Sequence, residues 1–490
     1  MKMLTVLLAG LLVGCQSLWG SLSIPNPGNC VETPSLCLAD ELCDQQEQIC
    51  HQALALYAAQ PNLFSSKGGG SVKLFGERFL PGVHVDWDGL PVTDVSLLSS
   101  TELSFSLPAS QAGRWRIPIN VRNTTGRSAQ RADLFSYYSD SLRFEALQPL
   151  NPGISKWLTV GDFNLDGHKD VVFLSGAEPL IVFVPGVGNG TLGPALLTPA
   201  GAVTAFPRDA AALDVNGDGI LDLLIAVRGE VQAFVGNGKG SFAAGASATI
   251  GLGTTRLTVL KSDRSEARTV AVSDGDFSGK TLSTVRLLKD GTFAAPVQIG
   301  SGFVTRILAS GDVSGDGLDD LLALDQTSQL RVMHSDGNGG FQVVQIVPLT
   351  SCVPNSLAVA DLDHDGWQDV MLACDQGLLP LHNDQGMLNP APLLQPTELL
   401  ISGLLVADLS GDGWPDLVYG SRSSKSLLVL QADRKGGYLA PLSVYSDSTW
   451  NNTGAAFMQA ADLDEDHKPD VVAGFNGGMY PLAVLRNQSP

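Results

Sequence analysis

Six stretches of this chain carry residues whose types and spacing could hold a metal ion. The first, Asp162-Phe163-Asn164-Leu165-Asp166-Gly167-His168-Lys169-Asp170, sets side-chain oxygens at positions 1, 3, 5 and 9 of a nine-residue loop, with glycine at position 6 where the backbone must turn sharply. An all-oxygen donor set of this kind suits a hard cation, and Ca²⁺ fits best. The expected ligands of this loop are Asp162, Asn164, Asp166 and Asp170. The same positions are held by Asp214, Asn216, Asp218 and Asp222, then by Asp312, Ser314, Asp316 and Asp320, and by Asp361, Asp363, Asp365 and Asp369. Asp408, Ser410, Asp412 and Asp416 follow, and Asp462, Asp464, Asp466 and Asp470 complete the set. Position 3 is neutral in four loops and charged at Asp363 and Asp464, so those two loops should gain most Coulomb energy from an ion. The last loop has His467 where the others have glycine, which should strain its turn.

These loops recur at intervals of about fifty residues, a period that signals a propeller or solenoid and is read before any single residue. The interval from Asp214 to Asp312 is double. A further unit lies there, with strand-like Leu257 to Lys261 and Thr269 to Val272, but Lys261, Asp263, Ser265 and Thr269 occupy its ligand positions. A lysine at position 1 should leave that third loop empty. Counted this way there are seven units, with acidic loops in all but the third. Each unit runs as a short apolar strand, the loop, a second apolar strand such as Asp170 to Leu174, a third such as Leu180 to Val184, a glycine-rich turn and a fourth strand. The turn reads Gly236-Asn-Gly-Lys-Gly-Ser-Phe242 in the second unit and Gly337-Asn-Gly-Gly-Phe341 in the fourth.

From Leu142 to Pro490 this grammar resembles the FG-GAP (VCBS) repeats of integrin-type β-propellers. The resemblance implies seven blades, with an ion at each hairpin between strands one and two and the carbonyl of position 7 completing its shell. The seventh unit stops after its third strand, Tyr480 to Arg486. Its outer strand is expected from Leu142 to Leu147, closing the ring without an open edge. Related loops are excluded. An EF-hand or dockerin loop needs a carboxylate at position 12, where this chain has Phe173, Ile225, Ala323, Leu372, Tyr419 or Ala473. Thrombospondin-type repeats pack such loops every dozen or so residues.

Ahead of the repeats, Met1-Lys2-Met3 and the apolar run Leu4 to Val13 read as a signal peptide, residues 1–14. Leu12-Val13-Gly14-Cys15 resembles the lipobox of bacterial lipoproteins, in which the cysteine is diacylated and becomes the mature N-terminus. Gln16 resembles the outer-membrane sorting pattern. A lipid at Cys15 would be the sole membrane attachment. Residues 15–29 read as a tether, and residues 30–60 as a segment tied by disulfides among Cys30, Cys37, Cys43 and Cys50, of open connectivity, with zinc as the lesser alternative. Leu42, Ile49, Leu54 and Leu56 suggest that this segment is partly helical. Cys352 and Cys374 flank one repeat and could bridge its inner hairpin.

Residues 61–138 alternate as short strands, Ser71 to Gly76 and Val83 to Trp87 among them. The runs Gly69 to Phe79, Val85 to Gly89, Ser99 to Leu103 and Ile119 to Asn123 resemble the IPT/TIG family of immunoglobulin-like domains, which act as spacers or binding modules. The expected fold class is therefore all-β: a small Cys-rich, partly helical segment, an immunoglobulin-like β-sandwich, and a seven-bladed propeller over residues 142–490.

Composition bounds the function. Only 16% of residues are charged, yet the net charge is −20, which argues against nucleic acid as a partner. The acid is local, since twenty aspartates sit at the ligand positions, and six Ca²⁺ would offset more than half of the excess. No serine has glycines at both −2 and +2, no H-E-x-x-H occurs, and His168, His364 and His467 lie inside the acidic loops. The reading is a non-enzymatic, calcium-binding lipoprotein of the bacterial cell envelope, at the outer membrane or cell surface. Its propeller would serve as an adhesion or protein-binding scaffold for an extracellular protein or glycan ligand. A lectin-like propeller is the alternative, and an extracellular polysaccharide-degrading enzyme the lesser one.

Overall fold

The computed structural model describes residues 41–490 except 44–49, 53, 110–115, 147–154, 176–177, 201–208, 228, 252, 263–267, 275–280, 395–398, 447–454 and 476–481. The signal peptide, Cys15, the tether, Cys30 and Cys37 lie outside the described residues. Every regular element among the described residues is a strand, and no helix there is long and apolar enough to cross a membrane. Before residue 60 the described residues form strand where helix was expected, while residues 30–40, 44–49 and 53 lie outside them. Glu41–Cys43 pairs with Cys50–Gln52, setting Cys43 opposite Cys50, and Ala55–Gln60 pairs with Ser71–Glu77. Leu54 and Leu56, two residues apart, are both buried. That is strand periodicity, and the cross-strand pairing overrides the helix propensity of Ala55, Ala58 and Ala59.

The chain divides into two compact units, one comprising residues up to Asn62 with Gly69–Pro108 and Ile117–Phe135, the other Leu63–Gly68, Ala109–Arg116 and Ser136–Pro490. The first unit carries two four-stranded sheets. In one, Ala55–Gln60, Ser71–Glu77, Glu102–Ser106 and Ser96–Ser99 lie in that order, and in the other Ser128–Arg131, Ile119–Arg122, His84–Trp87 and Leu90–Pro91. Val72, Leu74, Leu103, Val85, Ile119 and Val121 alternate into its core, where Trp87 meets Phe135 edge-on at 5.0 Å and Phe105 at 6.5 Å.

In the second unit the described strands form seven four-stranded antiparallel sheets besides a short parallel pair, Leu63–Ser65 with Ser136–Tyr138. Sheet one holds Ser155–Gly161, Asp170–Ser175, Leu180–Val184 and Leu196–Pro199 in sequence order, and sheets two to six repeat this layout. The second strands of the six sheets with acidic loops, such as Asp222–Val227 and Asp416–Ser421, are buried at every residue. Neighbours explain why these runs are continuously apolar. Val172 and Leu174 of sheet one join a cluster with Leu223 and Ile225 of sheet two. Val171 and Phe173, on the opposite face, pack with Val472 and Val484 of sheet seven. Each sheet is thus filled from both sides, and the first strand of the last sheet lies beside the first strand of sheet one.

Sheet seven takes its outer strand from far upstream, since Phe144–Ala146 pairs with Leu482–Asn487, Phe144 opposite Asn487. Around this seam the Gln488 N–H donates to the Arg143 carbonyl at 2.7 Å and the Arg143 N–H to Ser489 Oγ at 2.9 Å. The buried Lys468 ammonium donates to the Ser489 carbonyl at 2.6 Å. In sheet five, Cys352 and Cys374 form a disulfide, with Cα atoms 5.5 Å apart.

Candidate metal centres

Each acidic loop joins the first and second strands of its sheet, and its position 9 aspartate is the first residue of the fully buried second strand. That aspartate ties the sheet together. One oxygen accepts the N–H of position 2, from Phe163, Val215, Leu362, Leu409 and Leu463 at 2.8 to 2.9 Å. In sheet four the donor is Ser314 instead. The other oxygen accepts an N–H at the end of the third strand, from Gly186, Gly236, Ser335, Asn383, Ala432 and Asn487 at 2.7 to 2.9 Å. Desolvation raises the carboxyl pKa of Asp170, Asp222, Asp320 and Asp369, and pushes Asp416 and Asp470 up to about 7.

The other positions share a second pattern. The position 1 carboxylate accepts the position 6 N–H at 2.8 to 3.1 Å in all six loops, and the position 5 carboxylate accepts the position 7 N–H at 2.8 to 3.0 Å. Both turns use left-handed backbone. Position 6 has φ of +90° at Gly167 and Gly366 and +69° at His467, and position 4 has +61° at Leu165 and +62° at His364. A side chain at such a φ costs on the order of 1 kcal/mol. His467→Gly is therefore expected to raise the unfolding free energy by about 1 kcal/mol in a denaturant titration, and no gain would show that the turn carries no strain.

Position 4 divides the loops into two classes. Where it is glycine, at Gly217, Gly315 and Gly411, its N–H reaches the first oxygen of the position 1 carboxylate at 2.7 Å. Where it is Leu165, His364 or Glu465, that oxygen on Asp162, Asp361 and Asp462 is buried and has no hydrogen-bond partner, and Asp464 Oδ1 beside it is likewise unpartnered. Buried unpartnered carboxylate oxygens are costly, and a hard cation is the partner that fits them. Three carboxylate oxygens converge within 4.8 Å of one another at Asp361, Asp363 and Asp365, and again at Asp462, Asp464 and Asp470. The six loops that look alike in sequence are thus unequal. The signal was present as glycine or its absence at position 4.

The third loop is built differently. At position 9 the buried Thr269 hydroxyl accepts from Ser262 Oγ at 2.8 Å, and the Lys261 N–H donates to Asp319 Oδ2 at 2.7 Å. Asp263 and Ser265 lie outside the described residues.

Four residues near the loops went unnoticed in the sequence because strand register and hairpin shape bring them there. The third-strand residue just past the partner of position 10 faces the acidic cluster. It is Pro185 in sheet one and Val235 in sheet two, but His334, His382 and Arg486 in sheets four, five and seven. His382 Nδ1 is 3.3 Å from Asp363 Oδ2, and Arg486 Nε is 3.8 Å from Asp464 Oδ2. In sheet six Arg434, from the next hairpin, sets its Nε 3.5 Å from Asp412 Oδ2 and lies over the Tyr138 ring at 4.3 Å. Neighbouring loops also touch. His364 stacks on Trp414 at 4.3 Å, and His168 Nδ1 meets Glu465 Oε1 at 2.5 Å, joining the first loop to the last.

A family model for the FG-GAP-like repeat matches residues 162–225, 214–263, 312–372 and 408–473. No curated protein matches the chain in sequence. Among solved structures, BBS1N in complex with ARL6DN is similar at 11% identity and a TM-score of 0.51, over 71% of this chain and 97% of that one. A lectin of Agrocybe aegerita that recognises non-reducing terminal N-acetylglucosamine is similar at 16% identity and a TM-score of 0.45, over 74% of this chain and 94% of that one. At such identities the likeness to BBS1N is one of fold. With the matched repeats it supports an FG-GAP β-propeller.

Proposed function

We propose that this chain of FG-GAP-like repeats is a calcium-stabilised binding scaffold of the cell envelope, non-enzymatic, with seven blades closed by the strand at Phe144–Ala146. An immunoglobulin-like spacer would precede the propeller, and a lipid on Cys15 would hold the protein to its membrane. The observation that carries the calcium reading is the set of buried, unpartnered oxygens on Asp162, Asp361, Asp462 and Asp464, each beside further carboxylates of its own loop. A scaffold role fits the way the acidic residues are used. The position 9 carboxylates are spent on backbone N–H groups that tie strands together, an arrangement suited to holding a shape.

Two experiments test this reading. Replacing Cys15 with serine is expected to move the protein from the membrane fraction to the soluble fraction on cell fractionation, and persistent membrane association would remove the lipid anchor. The ligand is sought by pull-down from the native envelope in calcium, in parallel with a glycan array. A protein retained in calcium and lost in chelator supports the adhesion reading. Saturable, calcium-dependent glycan binding would replace it with a lectin, and turnover of a cell-wall or matrix polymer would overturn the non-enzymatic assignment.

A further inference from the structure

We infer that the fifth loop binds a transition-metal ion of the zinc class, held by Asp363, Asp369 and His382, in preference to calcium. His382 lies on the third strand of sheet five, Gly377–Asp384, outside the nine-residue loop. Its Nδ1 is 3.3 Å from Asp363 Oδ2 and 3.9 Å from Asp369 Oδ2, and one ligand atom from each of the three residues lies within 4.8 Å of the others. This nitrogen is buried yet makes no hydrogen bond, although the Asp363 oxygen is near enough for one. The group is therefore placed among acceptors without the alignment that would satisfy it. Asp369 is fixed by the Leu362 and Asn383 N–H groups at 2.9 and 2.7 Å, so one wall of the cluster is rigid and 1% exposed.

The donor chemistry sets the ion. Calcium takes oxygen ligands, whereas an imidazole nitrogen with two carboxylates suits zinc and its borderline neighbours. Bonds of about 2.0 to 2.2 Å in tetrahedral geometry put donors roughly 3.3 to 3.5 Å apart, so the two histidine–carboxylate separations of 3.3 and 3.9 Å need to contract by well under an ångström, and the carboxylate pair lies within 4.8 Å. The corresponding third-strand residues of sheets one and two, Pro185 and Val235, offer no donor. In sheet seven Arg486 brings a positive charge to the same place. His334 of sheet four also has an unpartnered buried nitrogen, but no carboxylate triad forms around it among the described residues. Loop five alone combines the nitrogen with converging carboxylates there.

The inference departs from the calcium reading at this one loop and does not depend on calcium elsewhere. Isothermal titration of the chelator-stripped full chain with zinc chloride, in millimolar calcium chloride, is expected to show one tight equivalent that calcium does not displace. His382→Ala should weaken it about tenfold or more, and Asp363→Asn should weaken it too. Cobalt(II) substitution should give a visible absorption band in the parent protein that His382→Ala loses. Replacing the exposed His84 of the other unit with alanine should change neither. Calcium titration of the His382→Ala protein, with uptake retained, shows that the variant is folded. Zinc binding indifferent to both loop variants overturns the inference and leaves the calcium reading intact. Histidine-dependent zinc binding with no calcium uptake at any loop upholds it while removing calcium.

Discussion

Stripping the protein of calcium is expected to lower its melting temperature by roughly 10 °C. With free calcium about tenfold above a millimolar-class dissociation constant, each site adds about 1.4 kcal/mol, and the five loops left to calcium add about 7 kcal/mol as independent sites. A unit of this size loses on the order of 0.7 kcal/mol per degree near its midpoint, which converts that sum to the stated shift. The loss should not be spread evenly. Loops one, five and seven leave Asp162, Asp361 and Asp462 with an unpartnered buried oxygen, whereas loops two, four and six fill it with the N–H of Gly217, Gly315 or Gly411. Asp162→Ala should therefore remove more calcium-dependent stabilisation than Asp214→Ala. Calorimetric melts with and without chelator measure both effects. A melt indifferent to chelator would sink the structural role of the ion.

Asp416→Ala is expected to cost about 4 kcal/mol whether or not calcium is present. Its carboxylate accepts the N–H groups of Leu409, Ser410 and Ala432 at 2.9, 3.0 and 2.8 Å, inside a strand with no exposed residue. Alanine would leave these donors buried without acceptors, each at about 1 to 3 kcal/mol before relaxation. Asp166→Ala, at an exposed position 5, should cost under about 1 kcal/mol in chelator and lose stability only relative to the calcium form. Equal losses at the two sites would refute the distinction.

Acidity adds a signature. In the calcium-free chain burial holds the Asp416 carboxyl at about 7, above its unfolded value near 3.8. The folded state thus binds this proton more tightly. The contribution is fully present below about pH 4 and is lost as pH rises through about 7. Asp416→Asn should remove that part of the slope when calcium-free melts are compared across this range.

The repeat was legible because a backbone that turns back at position 6 needs glycine, and because each strand starts where an aspartate stands. Sheet seven's missing outer strand could be placed for a related reason: an outer strand with no hairpin of its own must come from the other end of the unit. The inequality of the loops was harder to read. Whether Asp162 keeps a free oxygen depends on the turn at Leu165, and glycine at position 6 alone does not report it. His382, Arg434 and Arg486 lie outside the loops in sequence, and only register or hairpin shape sets them against Asp363, Asp412 and Asp464. Over residues 54–60 the helical expectation came from weighing alanines and glutamines as helix formers, where the structure has strand. Leu54 and Leu56, two apart on one buried face, were the better guide.

The strand borrowed by sheet seven also dictates an order of assembly. Six sheets draw all four strands from one continuous run, so each can form soon after its residues leave the ribosome or translocon. The last sheet joins partners as far apart as Arg143 and Ser489, separated by 346 residues, and cannot exist until both are present. Closing so long a loop is entropically slow. Until then sheets one and six each lack a neighbour on one apolar face, exposing Val171 and Phe173 on one side and Val418 and Val429 on the other. The nascent chain is sticky for as long as its ends are apart, and shortening that interval is where a folding helper would matter most.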